Sequence, residues 1–146
     1  MVDVASMAQR WVETWRDGWP AKDVEAMAAF YAPDATYLSV PFREPDLGVD
    51  GVRGYLTREF GVESEIECWF RSPIVEGNRA AIEWWASWVE GGDELTLAGS
   101  TFLTFNDAGL ITDHRDYWNQ TNDRRPPYPG WKSNSPSLSA EPKFGR

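Results

Sequence analysis

Apolar positions recur every three to four residues at the start of the chain. Val4, Met7, Ala8, Trp11, Val12 and Trp15 share one helical face, with Asp3 placed to cap the helix and Gly18 to stop it. A second helix is predicted after Asp23, with Val24, Met27, Ala28 and Tyr31 as its apolar stripe and Pro33 as its end. The period then falls to two. Ala35–Val40 reads as a strand with Tyr37 and Ser39 on one face and Leu38 and Val40 on the other, closed by Pro41. A loop rich in turn residues leads to Asp50, which is placed to cap a third helix over Gly51–Phe60 that buries Val52, Tyr55, Leu56 and Phe60. Its glycines make it weak on propensity.

Beyond this point the pattern predicts strands: Glu63–Val75, Arg79–Glu90, Glu94–Phe105 and Leu110–Asn119. Turns at Glu76-Gly77-Asn78, Gly91-Gly92-Asp93 and Asn106–Gly109 separate them. Pro73 marks an edge or a bulge. Three helices, one early strand and four antiparallel strands define an α+β class. The expected architecture is a curved, mostly antiparallel sheet wrapped around the helices, a cystatin-like α+β roll shaped as a cone with an interior cavity. From Arg124 onward the character changes, with five prolines and four serines in 23 residues. This predicts a domain over 1–123 and an extension over 124–146. The extension is either an unstructured tail or an arm anchored by Tyr128, Trp131 and Phe144.

The last strand carries the densest chemistry. It holds the only histidine, an arginine, two aspartates and two large aromatics. Alternation places Thr112, His114, Asp116 and Trp118 on one face and Ile111, Asp113, Arg115 and Tyr117 on the other. A carboxylate among indoles is desolvated, which raises its pKa toward the range of a general acid or base. Asp116 is therefore the leading catalytic candidate, against the ordinary alternative of an exposed surface acid. Tyr37 is a candidate donor to an oxyanion or a water. Glu83 could share a proton with Asp116. It could equally face solvent or pair with Arg79 or Arg115. His114 is a candidate catalyst, although a single histidine is more often a hydrogen-bonded structural residue. Trp11, Trp15, Ser39, Trp85, Ser100 and Trp118 are the candidate substrate-binding residues.

Composition narrows the partners. Nine tryptophans in 146 residues point to an aromatic-lined cavity or to an unusually heavy core. A net charge of −9 disfavours nucleic acid, and the scattered Lys and Arg disfavour an anionic membrane surface. Cys68 stands alone, so no internal disulfide forms, and one histidine without a cysteine cluster offers no metal site. No cofactor is expected, since phosphate-binding glycine loops are missing, and no G-x-S-x-G motif supports nucleophilic catalysis. The N-terminus lacks the features of a signal peptide and no apolar run reaches membrane length, so a soluble cytoplasmic protein is expected.

The opening helix with Trp11 and Trp15, FYAPDATYLSVP, GVDGVRGYL and AGSTFLTFNDAGLITDHRDYW resemble the SnoaL-like branch of the nuclear-transport-factor-2-like superfamily over residues 4–120. The resemblance implies a cavity between helices and concave sheet, and a homodimer through the outer face of the sheet. The ketosteroid isomerase residues fall on Trp11, Val40 and Thr101, so that machinery is absent. Limonene-type epoxide hydrolases end on a strand similar to HRDYWN, which puts Asp116 at their acid position and their water-holding pair on Tyr37 and Ser39. Their Arg–Asp half falls near Glu83 and Trp85 and is lost. SnoaL-like cyclases use a sheet carboxylate in an apolar pocket, a role open to Asp116. Three functions follow as expectations. The first is a cofactor-independent acid/base enzyme on a small hydrophobic, cyclic or carbonyl-bearing molecule. The second is an epoxide hydrolase using Asp116 and Tyr37. The third is a non-catalytic binder, which saturable tryptophan quenching without turnover would reveal.

Overall fold

The structure is a computed structural model that describes residues 2–131. Helix α1 runs over Val4–Ala21, with the Asp3 side chain accepting from the Ser6 amide. It does not stop at Gly18. Gly18 lies inside the helix and packs on Met27, and the chain turns out only at Lys22, in the left-handed region at φ 56°. The extra turn brings Trp19 onto the buried face. Helix α2 is short, Val24–Ala28. Tyr31 does not belong to its apolar stripe: strand β1 begins there and spans Tyr31–Leu38, with Pro33 inside it. Pro33 is tolerated because the ladder to the last strand is irregular between Tyr31 and Thr36.

A two-residue strand β2, Asp46–Leu47, lies in what the sequence suggests is loop, and helix α3, Gly48–Gly61, follows it directly. Leu47 occupies the N-cap and Asp50 lies in the first turn, so Asp50 supports α3 through its dipole instead of capping it. The predicted strand Glu63–Val75 is two strands, β3 (Glu63–Phe70) and β4 (Ile74–Glu76), broken around Pro73. Strands β5 (Arg79–Glu90), β6 (Asp93–Phe105) and β7 (Ile111–Thr121) complete the sheet.

Strand order is β2-β1-β7-β6-β5-β3, with β4 on β5. All pairs are antiparallel except β1 with β7, which is parallel. The fold is α+β: a curved, open sheet with the helices on its concave side. Gly91 and Gly92, both at positive φ, form the two-residue turn between β5 and β6. That turn sets a register in which Ile82, Trp84 and Ala86 face Thr101, Gly99 and Leu97. In β7, Ile111 is buried together with His114, against the alternation expected. The cause is a register shift at Thr104/Phe105, which leaves Thr112 unpaired and restores the expected phase only from Asp113 onward.

Six indoles are buried, Trp11, Trp15, Trp19, Trp84 and Trp88 in one cluster and Trp131 apart, and Trp118 is half-buried against that cluster. Each buries roughly 150–250 Å², a gross gain on the order of 4–6 kcal/mol. Past β7 the chain crosses the outer face. The Arg125 amide donates to Thr96 Oγ1, and Arg124 binds Glu67 and the Glu65 carbonyl. Trp131 is buried beneath Arg71, whereas Tyr128 is exposed against Trp85. Phe144 lies outside the described residues. Among the described residues, no helix is long and apolar enough to cross a membrane.

Candidate active site

A cavity of about 240 Å³ lies between α1, α3 and the concave face of the sheet. Its walls are aromatic: Trp11, Trp15 and Trp19 of α1, Tyr37 of β1, Tyr55 and Phe60 of α3, Trp84 and Trp88 of β5, and Trp118 of β7. Four carboxylates line it, from Asp116, Glu59, Glu63 and Glu90, and no lysine or arginine does so among the described residues.

Asp116 sits in this wall, 8% exposed. It pairs across the ladder with Thr101, whose hydroxyl donates to Oδ1 at 2.6 Å. Trp84 Nε1–H in turn donates to Thr101 at 2.8 Å. His114 Nε2 lies 2.8 Å from the same Oδ1, and its Nδ1 lies 2.8 Å from the Tyr31 hydroxyl. Trp11 Nε1–H donates to that hydroxyl at 3.3 Å. The hydrogen bonds seen on Asp116 thus converge on Oδ1. Oδ2 is the oxygen left for a ligand in the cavity.

Tyr37 lines the cavity and stacks on the imidazole, with ring centroids 3.9 Å apart. Burial, reinforced by Asp116, pushes its hydroxyl well above the usual tyrosine range, so it remains a proton donor. Tyr55, pushed well above that range chiefly by burial, does the same. At another point of the wall Glu63 is 5% exposed and accepts from Trp19 Nε1–H at 2.8 Å. Burial lifts its carboxyl to about 7 despite that bond. Trp15 Nε1–H is buried with no acceptor among the described residues.

The predicted site residues therefore divide. Asp116, Tyr37, Trp11, Trp15 and Trp118 line the cavity. His114 does not: it lies behind Asp116, 1% exposed, and can act only through it. Ser39 is also behind the wall, its carbonyl accepting from Trp118 Nε1–H and its hydroxyl taking Arg43. Glu83, Trp85 and Ser100 are corrections. They lie on the outer face, with Glu83 paired to Arg71 at 3.3 Å and facing Ser100 across the ladder. In β5 the inward phase belongs to Ile82, Trp84 and Ala86, so the residues between them point away. Sequence reasoning missed Tyr31, assigned to a helix, and Trp19, placed past a helix stop. It also passed over Glu63, Trp84 and Thr101 as site residues. The Trp84–Trp85 doublet signalled that one indole points inward, without saying which.

A curved open sheet, helices on its concave side and a carboxylate in the enclosed cavity together define the nuclear-transport-factor-2-like class. The sequence matches the SnoaL-like domain family over residues 8–114, and the chain belongs to that family. Among solved structures it is similar to RV0760c of Mycobacterium tuberculosis, with 19% identity and a TM-score of 0.70 over 83% of this chain and 98% of that one. It is also similar to an LEH-like epoxide hydrolase of M. tuberculosis, with 22% identity and a TM-score of 0.66 over 79% and 84% of the two chains. SalBIII, an epoxide hydrolase/cyclase-like enzyme of pyran ring formation in salinomycin, gives 14% and 0.69 over 80% and 96%. At these identities the likeness is one of fold. A comparison with curated proteins finds no match.

Proposed function

We propose that the protein is an acid/base enzyme of the SnoaL-like cyclase, isomerase or dehydratase type, acting on a small hydrophobic molecule without a cofactor. The observation that carries this reading is the Asp116 carboxylate, held in an aromatic cavity with its hydrogen bonds on Oδ1 and Oδ2 left for substrate. In the proposed reaction Oδ2 takes a proton from carbon beside a carbonyl, and returns it after the bond rearrangement. The Tyr37 hydroxyl donates to the oxygen that gains charge, as a preorganised donor in an aromatic wall. The substrate is neutral or cationic, because an anion would meet Asp116, Glu59 and Glu90 and no compensating lysine or arginine in the described wall.

The epoxide-hydrolase alternative needs a second charged pair around the attacked ring, and the expected positions, Glu83 and Trp85, are outside the cavity. This favours proton transfer over hydrolysis. The experiment is a panel of cyclisable carbonyl compounds and epoxides, assayed with wild type and Asp116→Asn in oxygen-labelled water. The asparagine oxygen can still accept from Thr101, so the fold is retained. The expected result is a loss of about 10²–10⁴-fold in the variant and no labelled diol from the epoxides. Undiminished activity in the variant would refute the reading, and labelled diol would replace it with the hydrolase. Saturable binding without turnover in either protein would leave the binder.

A further inference from the structure

We propose that Tyr31 is a positioning residue that locks His114 as a neutral imidazole protonated on Nε2, which confines proton exchange at Asp116 to Oδ2. This rests on the acid/base reading for its functional meaning but not for its test. The buried network ends in two indoles, Trp84 and Trp11. An indole N–H can only donate. Trp84 therefore donates to Thr101, and the Thr101 proton must go on to Asp116 Oδ1. At the other end Trp11 donates to the Tyr31 oxygen, so the Tyr31 proton needs another acceptor. The acceptor present is His114 Nδ1, at 2.8 Å. Nδ1 must then carry a lone pair, and the imidazole proton sits on Nε2, where it donates to Asp116 Oδ1 at 2.8 Å.

An imidazolium would reverse this. Nδ1–H would point at an oxygen already accepting from Trp11, and the Tyr31 proton would be left without a partner at a residue 3% exposed. A buried unpaired donor is costly, and so is an imidazolium at a residue 1% exposed. The Asp116 charge pulls the other way, and Tyr31 is what resists it. The other groups facing the dyad do not compete for the proton. Tyr37 and Tyr55 keep their hydroxyl protons because burial pushes both up, and Trp11, Trp15, Trp84 and Thr101 do not titrate in this range. Glu63, Glu59 and Glu90 line the cavity but make no hydrogen bond seen to His114 or Asp116.

Because the sequence contains one histidine, its ring nitrogens can be read without assignment. The experiment is long-range proton–nitrogen correlation NMR on the untagged, ¹⁵N-labelled protein between pH 5.5 and 8. The expected wild-type pattern is one protonated-type and one unprotonated-type nitrogen, with Nε2 the protonated one. Tyr31→Phe keeps the ring and removes the hydroxyl that faces Nδ1, so the Nδ1 resonance should move downfield toward that of an unbonded imidazole lone pair while Nε2 stays protonated. A wild-type imidazolium at pH 7, or a proton on Nδ1, overturns the proposal whether or not the variant folds. A folded Tyr31→Phe protein with an unchanged Nδ1 resonance also overturns it. Neither result bears on whether Asp116 is the base, which the Asp116→Asn assay decides separately.

Discussion

Glu63 begins β3 with its carboxyl beside Trp19, and burial there lifts it from an ordinary 4.5 to about 7. Between those values the folded protein holds a proton that the unfolded chain has released. Stability therefore falls as pH rises through the window, and by pH 8 the loss amounts to about 3 kcal/mol. Glu63→Gln keeps an acceptor for Trp19 and removes the charge. Its urea midpoint should stay flat from pH 4.5 to 8 relative to wild type, and should lie above it at pH 8. Parallel slopes in the two proteins would mean that Glu63 ionises freely. The same residue shows what the sequence withholds at this scale. An acid at a strand start looks like any of the 23 acids, and only the extra turn of α1, which brings Trp19 to it, makes it a buried one. Asp116 was legible because its strand alternates cleanly from Asp113 onward. Tyr31 was not, since an aromatic four residues after Met27 fits a helical stripe equally well.

At the scale of elements, the site depends on how closely β6 approaches β7. Gly99 stands opposite Trp118, and a methyl group there would overlap the Tyr117 carbonyl oxygen and the Trp118 Cβ. Two backbones cannot give way as a flexible side chain can. Gly99→Ala should cost about 1–3 kcal/mol, read as a lower thermal midpoint. It should also disturb the Trp118-to-Ser39 bond that closes one side of the cavity. An unchanged midpoint would show that the strands have slack. The phase of β7 could be read from its polar and apolar alternation, but that of β5 could not. Ala80, Ala81, Trp84 and Trp85 offer apolar residues to both faces, and the choice is made by the Gly91-Gly92 turn and the ladder it fixes. Hence Glu83, Trp85 and Ser100 were placed on the wrong side together: they share one register.

For the molecule as a whole, the fold class followed from the order of elements, while the crossover that joins β1 to β7 in parallel is a long-range pairing that no local pattern announces. The segment after β7 behaves as part of the folded body as far as Trp131, which is 1% exposed and stacked against Arg71. Trp131→Ala should lower stability by about 3 kcal/mol, with little effect on the cavity, which it does not line. A chemical-denaturation midpoint within error of wild type would show that this stretch rests loosely on the sheet.

The pairing of β1 with β7 also sets an order in time. Tyr31 and His114 are 83 residues apart, and at about 5–20 residues per second of synthesis several seconds separate their emergence. Through that interval β1 has only the two-residue β2 beside it in the sheet. The indoles of α1 have no Trp84 or Trp88 to meet until β5 is made. Non-local pairing of this kind folds slowly, so the Asp116 side of the cavity wall forms last. A nascent chain halted before Ile111 would hold every helix of the described fold and a cavity wall without Asp116 or Trp118.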